Sequence, residues 1–402
     1  MRNLTQEELE ILQEVIEIRD SMERYQPRVA INQFNLEQVL SILSFEALVG
    51  VEDGERKLEA FKKAISLTIE LTCSITHHGE LNTIHEDGPE VYRNFWDSLL
   101  TLHHDRLDEL PTILSFNYDL VLERALFQLA VGKYIGGRKP RIRGKGFNLN
   151  YHHPACAPTA FSLKPGRYRG DGGGLDEVRG TFLEPFLDYD EATSEFIEIS
   201  LLKLHGSLNF PENEETMPWS PLKVATVPQI IPPVFNKANA TFGTPIWKAG
   251  LDALRSCKNL IICGYSLPTT DSYMQYFLKA ALGPNRNLNQ IFVFDPLLFQ
   301  DPANQAGEEL KQRYSECFAP QMHGKIIFQP NAPREREKVV FNDASNPQNH
   351  PGTFMHMVEL FSKDAEAILF GVRPEAESEE QSYHHTRPVA IRRTRRNQYD
   401  GL

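Results

Sequence analysis

The sequence predicts an α/β protein, with a parallel sheet preceded by a helical N-terminal region. Three observations lead there. Three apolar runs, far apart in the chain, end abruptly in polar residues and glycine: Thr112-Ile113-Leu114-Ser115-Phe116-Asn117-Tyr118-Asp119, Leu201-Leu202-Lys203-Leu204-His205-Gly206-Ser207 and Asn259-Leu260-Ile261-Ile262-Cys263-Gly264-Tyr265-Ser266-Leu267-Pro268. Buried parallel strands have this texture. From Ile199 onward, segments of strand and helix character alternate, as in βαβ units. The first hundred residues carry helical periodicity and no convincing strand. Ligands of open α/β sheets sit at the carboxyl ends of the strands. The three runs are therefore expected to bring Asn117, Asp119, His205, Gly264 and Ser266 to one edge.

In order along the chain, Thr5 and Glu8 have capping-box spacing, and Leu9, Leu12, Val15 and Ile16 follow at helical period. A first helix reaches Tyr25 and stops at Pro27. Asn35 with Gln38 opens a second. A third spans Glu55 to Ile75 and a fourth Glu90 to His104. Thr112 to Phe116 is a strand and Leu120 to Leu129 a helix. Residues 133–180 are rich in Gly, Pro, Arg and Lys, and read as a flexible insertion. Strands follow at Ile199–Leu204, Leu260–Cys263, Gln290–Phe294 and Lys325–Phe328. Helices follow at Trp247–Ser256, Asp271–Leu282, Glu308–Phe318 and Thr353–Leu369. The expected organisation is a helical region over 1–105, a sheet domain over 106–370, and a charged, disordered tail over 374–402, acidic and then basic.

Composition narrows the function classes. The 402 residues are 41% hydrophobic, enough for a large core. A net charge of −12 disfavours a general nucleic-acid coat. No apolar run of about 18 residues is present, so no membrane span is expected. The N-terminus has no signal-peptide character. Five scattered cysteines without CxxC spacing support neither a disulfide framework nor a four-cysteine zinc site, and point to a reduced cytosolic protein.

His205 follows a strand and precedes Gly206, whose missing side chain allows a ligand or backbone to come close. Its near-neutral imidazole suits a general base or acid. Asn117 is either a turn residue or an amide that orients a water or sugar hydroxyl. Asp119 fits the N-cap of the next helix. Gly264-Tyr265-Ser266 offers a tight turn whose amide N–H groups suit a phosphate. Asp271 fits a helix cap. Asp295 is either a turn residue before Pro296 or an acceptor for ribose hydroxyls. Four His-His pairs (His77-His78, His103-His104, His152-His153, His384-His385) lack metal-ligand spacing and read as loop or exposed histidines. GxSxG, GxxxxGK[ST] and GxGxxG motifs are absent.

Taken in order, Ser115-Phe116-Asn117-Tyr118-Asp119, Lys203-Leu204-His205-Gly206-Ser207 and Ile262-Cys263-Gly264-Tyr265-Ser266-Leu267-Pro268-Thr269-Thr270-Asp271 resemble the sirtuin superfamily. They look closest to the sirtuin-like NAD hydrolase domains of bacterial anti-phage defence. The resemblance covers roughly residues 30 to 330 and implies a Rossmann-like parallel sheet. It implies catalytic roles for Asn117 and His205, with Tyr118, Asp119, Gly206, Gly264, Ser266, Asp271 and Asp295 around the NAD+. No metal is implied, and NAD+ is substrate, not cofactor. Paired cysteines of the deacylase zinc module are absent, which favours plain NAD+ cleavage. The family's N-terminal strand and Gly-Ala-Gly-x-Ser loop have no counterpart in the first hundred residues. Either the start lies upstream of Met1 or the chain lacks that loop. The expected activity is a cytoplasmic NAD+ glycohydrolase held in check by homo-oligomerisation or by a partner: an ATPase translocase, an Argonaute-like protein or a phage protein. The alternatives are an inactive NAD+ or ADP-ribose sensor or scaffold, and, more weakly, a nucleic-acid processor using Arg138, Lys139, Arg141, Arg143, Lys145 and the basic tail.

Overall fold

In a computed structural model, the described residues are 4–22, 32, 34–73, 90–102, 110–130, 146–156, 159–162, 197–212, 221–231, 243–269, 271–299, 305–328, 354 and 357–358. They form a mixed α/β fold with small parallel sheets. The helix expected over 353–369 and the tail over 374–402 lie almost entirely outside them, as do His77, His78, His103, His104, His384 and His385.

Three helices open the chain: α1 (Gln6–Met22), α2 (Leu36–Leu48) and α3 (Gly54–Cys73). The α1 start is a reciprocal capping box. Thr5 N–H donates to the Glu8 carboxylate at 2.8 Å, and Glu8 N–H donates to Thr5 Oγ1 at 3.3 Å. Asn35 caps α2 by accepting from Gln38 N–H. These helices share one apolar cluster of Ile18, Met22, Val39, Leu40, Leu43, Phe61 and Ile65, which also takes in Leu120, Leu208 and Ile230. Two polar contacts tie α3 onward: Arg124 grips both oxygens of Glu70 at 3.0 and 2.7 Å, and Lys62 pairs with Glu212.

Helix α4 (Glu90–Leu102) does not join that cluster. Phe95, Trp96, Leu99 and Leu100 belong to the sheet core, and Trp96 Nε1–H donates to Leu122 O at 2.9 Å. Of the helical region expected over 1–105, packed on or inserted in the sheet domain, α1–α3 share one apolar cluster and α4 packs in the sheet core.

The remaining elements are β1 (Ile113–Ser115), α5 (Val121–Ala130), β2 (Gly146–Asn150), β3 (Thr159–Ser162), β4 (Ile197–Lys203), β5 (Gly206–Pro211), β6 (Pro228–Ile230), α6 (Gly243–Ser256), β7 (Asn259–Cys263), α7 (Ser272–Leu282), β8 (Gln290–Phe294), α8 (Gln305–Cys317), α9 (Pro320–His323) and β9 (Ile326–Phe328). One sheet has the order β1-β4-β2-β3, another β5-β6 and a third β7-β8-β9. The β1–β4, β2–β4, β7–β8 and β8–β9 pairs are parallel.

This corrects three expectations. The single continuous sheet is absent among the described residues, because no described strand bridges β1 and β7. The segment 133–180 is not wholly loop: it supplies β2 and β3 to the first sheet, and its Tyr151, His153 and Cys156 are buried. The alternation after Ile199 is interrupted by the antiparallel pair β5–β6. Short strands carrying Gly, Asn and Pro, such as Gly206–Pro211, lack the apolar run that marks a buried parallel strand.

One core joins the first and third sheets. Helix α6 passes so close that a Cβ on its Gly250 would stand 3.4 Å from Leu114 of β1, 3.6 Å from Leu204 and 3.3 Å from Phe277 of α7. Leu43→Ala, which empties a fully buried site between the first helices, should cost about 2–5 kcal/mol in denaturant unfolding. Thr5→Ala, which removes only a cap on an exposed helix end, should cost about 1 kcal/mol or less.

Candidate functional site

The parallel register of β1 on β4 pairs Ile113 with Leu201, Leu114 with Leu202 and Ser115 with Lys203. The last pair is closed by Leu204 N–H donating to Ser115 O at 3.0 Å. Asn117 and His205 each lie two residues beyond that last pair, in the segments that leave β1 and β4. Phe116 completes the arrangement. Its ring centroid lies 5.0 Å from the His205 ring and 4.9 Å from the Tyr265 ring. One aromatic side chain therefore brings the ends of all three apolar runs together. Asn117 is exposed there, while His205 is buried.

His205 is pinned through its backbone: Ile231 N–H donates to its carbonyl at 2.9 Å. Gly206 has φ +88° and lies against β6 so closely that a Cβ would stand 2.0 Å from Gln229 O. The close approach expected at this glycine is thus taken by the protein's own backbone. Gly264 also has positive φ, +68°, but a Cβ there would meet nothing within 4 Å. Its N–H donates to Phe294 O at 2.8 Å, so that amide is already engaged and not open to a phosphate. Ser266 is half-buried, and its carbonyl accepts from Arg313 Nε–H at 2.9 Å.

The other expected site residues carry structural contacts. Tyr118 donates its hydroxyl to Ile231 O at 3.0 Å. Helix α5 starts at Val121, one residue later than expected, so Asp119 stands one residue before its cap position, and its carboxylate accepts from Val121 N–H at 3.0 Å. Asp271 caps α7 by accepting from Met274 N–H, and also accepts the Tyr265 hydroxyl at 2.9 Å. Asp295 accepts from Leu297 N–H at 2.9 Å, the turn arrangement before Pro296. Burial pushes its carboxyl pKa up, against the turn hydrogen bond and the Arg313 charge. The Cys263 thiol is pushed up to about 12, first by burial and then by the Asp295 charge, so it is no nucleophile at neutral pH.

Of the described histidine pair, His152 is exposed with φ +54°, whereas His153 is buried, 4.4 Å from the Phe210 ring centroid. His153 Nε2 lies 3.1 Å from Gln229 Oε1, and its Nδ1 accepts from Ala155 N–H at 3.1 Å. Burial lowers its pKa, which fits a neutral histidine; both residues lie in the loop after β2, as loop or exposed histidines were expected to, with His153 the buried one. Among the described residues no three His, Cys, Asp or Glu side chains gather as a metal set. No described helix is long and apolar enough to cross a membrane.

Two features near the site carried no sequence signal. The Tyr92 phenol of α4 is pushed up to about 12, first by burial and then by the charges of Asp119, Cys73 and Cys263. Beneath Asp119 lies a buried charge pair, Lys203 and Glu123, at 3.4 Å. No family model matches the chain, and no curated protein matches it.

Three substitutions test the geometry. Gly206→Ala should prevent native folding, because Gln229 backbone must move. Gly264→Ala should cost only the left-handed strain of roughly 1–2 kcal/mol in thermal unfolding. Asp295→Asn should raise the melting temperature near neutral pH. A raised native pKa means that ionising Asp295 opposes folding above that pKa. The variant's advantage should therefore shrink as pH falls through the raised pKa towards the ordinary carboxylate range.

Proposed function

We propose that the chain is an NAD+ glycohydrolase on a Rossmann-like scaffold. The observation that carries this reading is the convergence of the three strand ends on Phe116, with Asn117 and His205 each two residues past the last β1–β4 pair. The ordered sirtuin-like motifs support it. The C1′–N bond to nicotinamide breaks, and its electron pair leaves with neutral nicotinamide. The ribosyl cation that remains is captured by water. Asn117 orients that water or the ribose. His205 takes the proton released as the new C1′–O bond forms, as a general base. The products are ADP-ribose, nicotinamide and a proton. NAD+ is substrate and no metal takes part. Five free thiols fit a reducing, cytoplasmic setting.

Unchecked NAD+ cleavage is toxic to a cell, so we propose control by self-association or by a defence-system partner. A second reading, an inactive NAD+ or ADP-ribose sensor or scaffold, is favoured by one observation. The polar groups of Tyr118, Asp271 and Asp295 and the Gly264 amide already have partners within the protein.

The test is release of nicotinamide and ADP-ribose from NAD+ by the purified chain, at high protein concentration and with candidate partners. Turnover is expected. His205→Ala and Asn117→Ala should each lower it by about 100-fold or more at unchanged melting temperature. Saturable NAD+ binding without turnover in every condition would establish the sensor reading in its place.

A further inference from the structure

Lys203 is 1% exposed and Glu123 is not exposed at all, yet both lie in the core between β4 and α5. Lys203 Nζ–H donates to the backbone carbonyl of Asp119 and faces Glu123 Oε1. The same Oε1 accepts the Tyr151 hydroxyl at 3.3 Å. Asn209 Nδ2–H in turn donates to the Tyr151 oxygen at 3.1 Å and to Pro221 O at 2.9 Å. Glu123 Oε2 is buried without a hydrogen-bond partner among the described residues.

Such a pair is a poor way to stabilise a core. Each ion loses its hydration, and apolar residues of similar volume usually serve stability as well or better. Burial accordingly pushes the Glu123 pKa up despite the neighbouring Lys203 charge. What an apolar pair could not do is hold the Asp119 carbonyl. That carbonyl belongs to the loop that carries Asn117, and Lys203 stands two residues before His205 on the paired strand. The loop's ties to other elements, Leu208 N–H and the Ser207 hydroxyl to Tyr118 O and the Tyr118 hydroxyl to Ile231 O, lie towards the β5–β6 pair, while Asn117 N–H to Ser115 Oγ and Val121 N–H to the Asp119 carboxylate stay within its own run.

We propose that the buried Lys203–Glu123 pair is the device that fixes the Asn117–Asp119 loop relative to His205, with Lys203 as a positioning residue for the reaction at those two side chains. The inference rests on the NAD+ cleavage reading for its consequence in turnover, but not for the clamp itself.

Lys203→Met alone would strand a buried carboxylate, so the informative variant is Lys203→Met with Glu123→Leu. It is compared with wild type and with Lys62→Met, which removes the distant contact to Glu212. Hydrogen exchange is read over residues 113–123, alongside melting temperature and the kinetics of NAD+ cleavage. The double variant should melt at or above the wild-type temperature, yet exchange about tenfold faster over 117–121 only. Its kcat should fall about tenfold or more with KM changed less than about threefold, and Lys203→Arg should recover part of kcat. The Lys62→Met control should leave exchange over 117–121 as in wild type. Unchanged exchange in the double variant overturns the clamp, whatever the activity. Faster exchange in a protein whose wild type never cleaves NAD+ upholds the clamp and removes the hydrolase reading instead.

Discussion

The parallel pairing of β1 with β4 is the constraint on which the candidate site depends. It is only three residue pairs long, Ile113–Leu201 to Ser115–Lys203. Because side chains alternate across a strand, a slip of one residue would turn each of them to the opposite face. Register is protected from both ends. Leu114 packs under α6 at Gly250, where any larger residue would crowd it, and Leu204 N–H closes the last pair by donating to Ser115 O. Beyond the ladder, Phe116 lies against both His205 and Tyr265. A short strand pair thus sets where Asn117 and His205 stand, and one ring sets how far the third sheet stands from the first.

Local chemistry was legible in the sequence where a few neighbouring residues decide the outcome. Thr5 with Glu8, Asn35 with Gln38, and Asp271 before α7 all make the capping contacts that their spacing implies. Gln290–Phe294 is a strand with the bounds expected of it. Pairing between distant segments was not legible. Strand β2 has the sequence Gly-Phe-Asn-Leu-Asn and sits in a stretch of Gly, Arg and Lys, so nothing local announces it. It exists because β4 offers it a parallel edge and β3 an antiparallel one. The separation of β1 from β7 was illegible for the same reason, since apolar texture tells that a strand is buried but not what lies beside it.

The site residues divide along the same line. His205, Asn117 and Gly264 were singled out from strand-end position, and the structure brings their runs together at Phe116. Lys203 and Glu123 were missed because a lysine in an apolar strand and a glutamate in a helix's first turn both read as ordinary surface residues. Only the tertiary fold buries them together. Gly206 was found for a sound reason, close approach, but the approaching group is Gln229 O and not a ligand. A glycine's need for space is visible in sequence, whereas the occupant of that space is not.

Burial also separates the two side chains that the reaction would need. Asn117 is exposed and His205 is not. The imidazole is buried beside the Phe116 ring, and burial strengthens any charge interaction made there. The same burial makes an incorrectly placed polar group costly. That is a physical reason for a rigid loop at Asn117–Asp119: a site that is dry on one side and open on the other keeps its geometry only if the loop at its rim is tied from below.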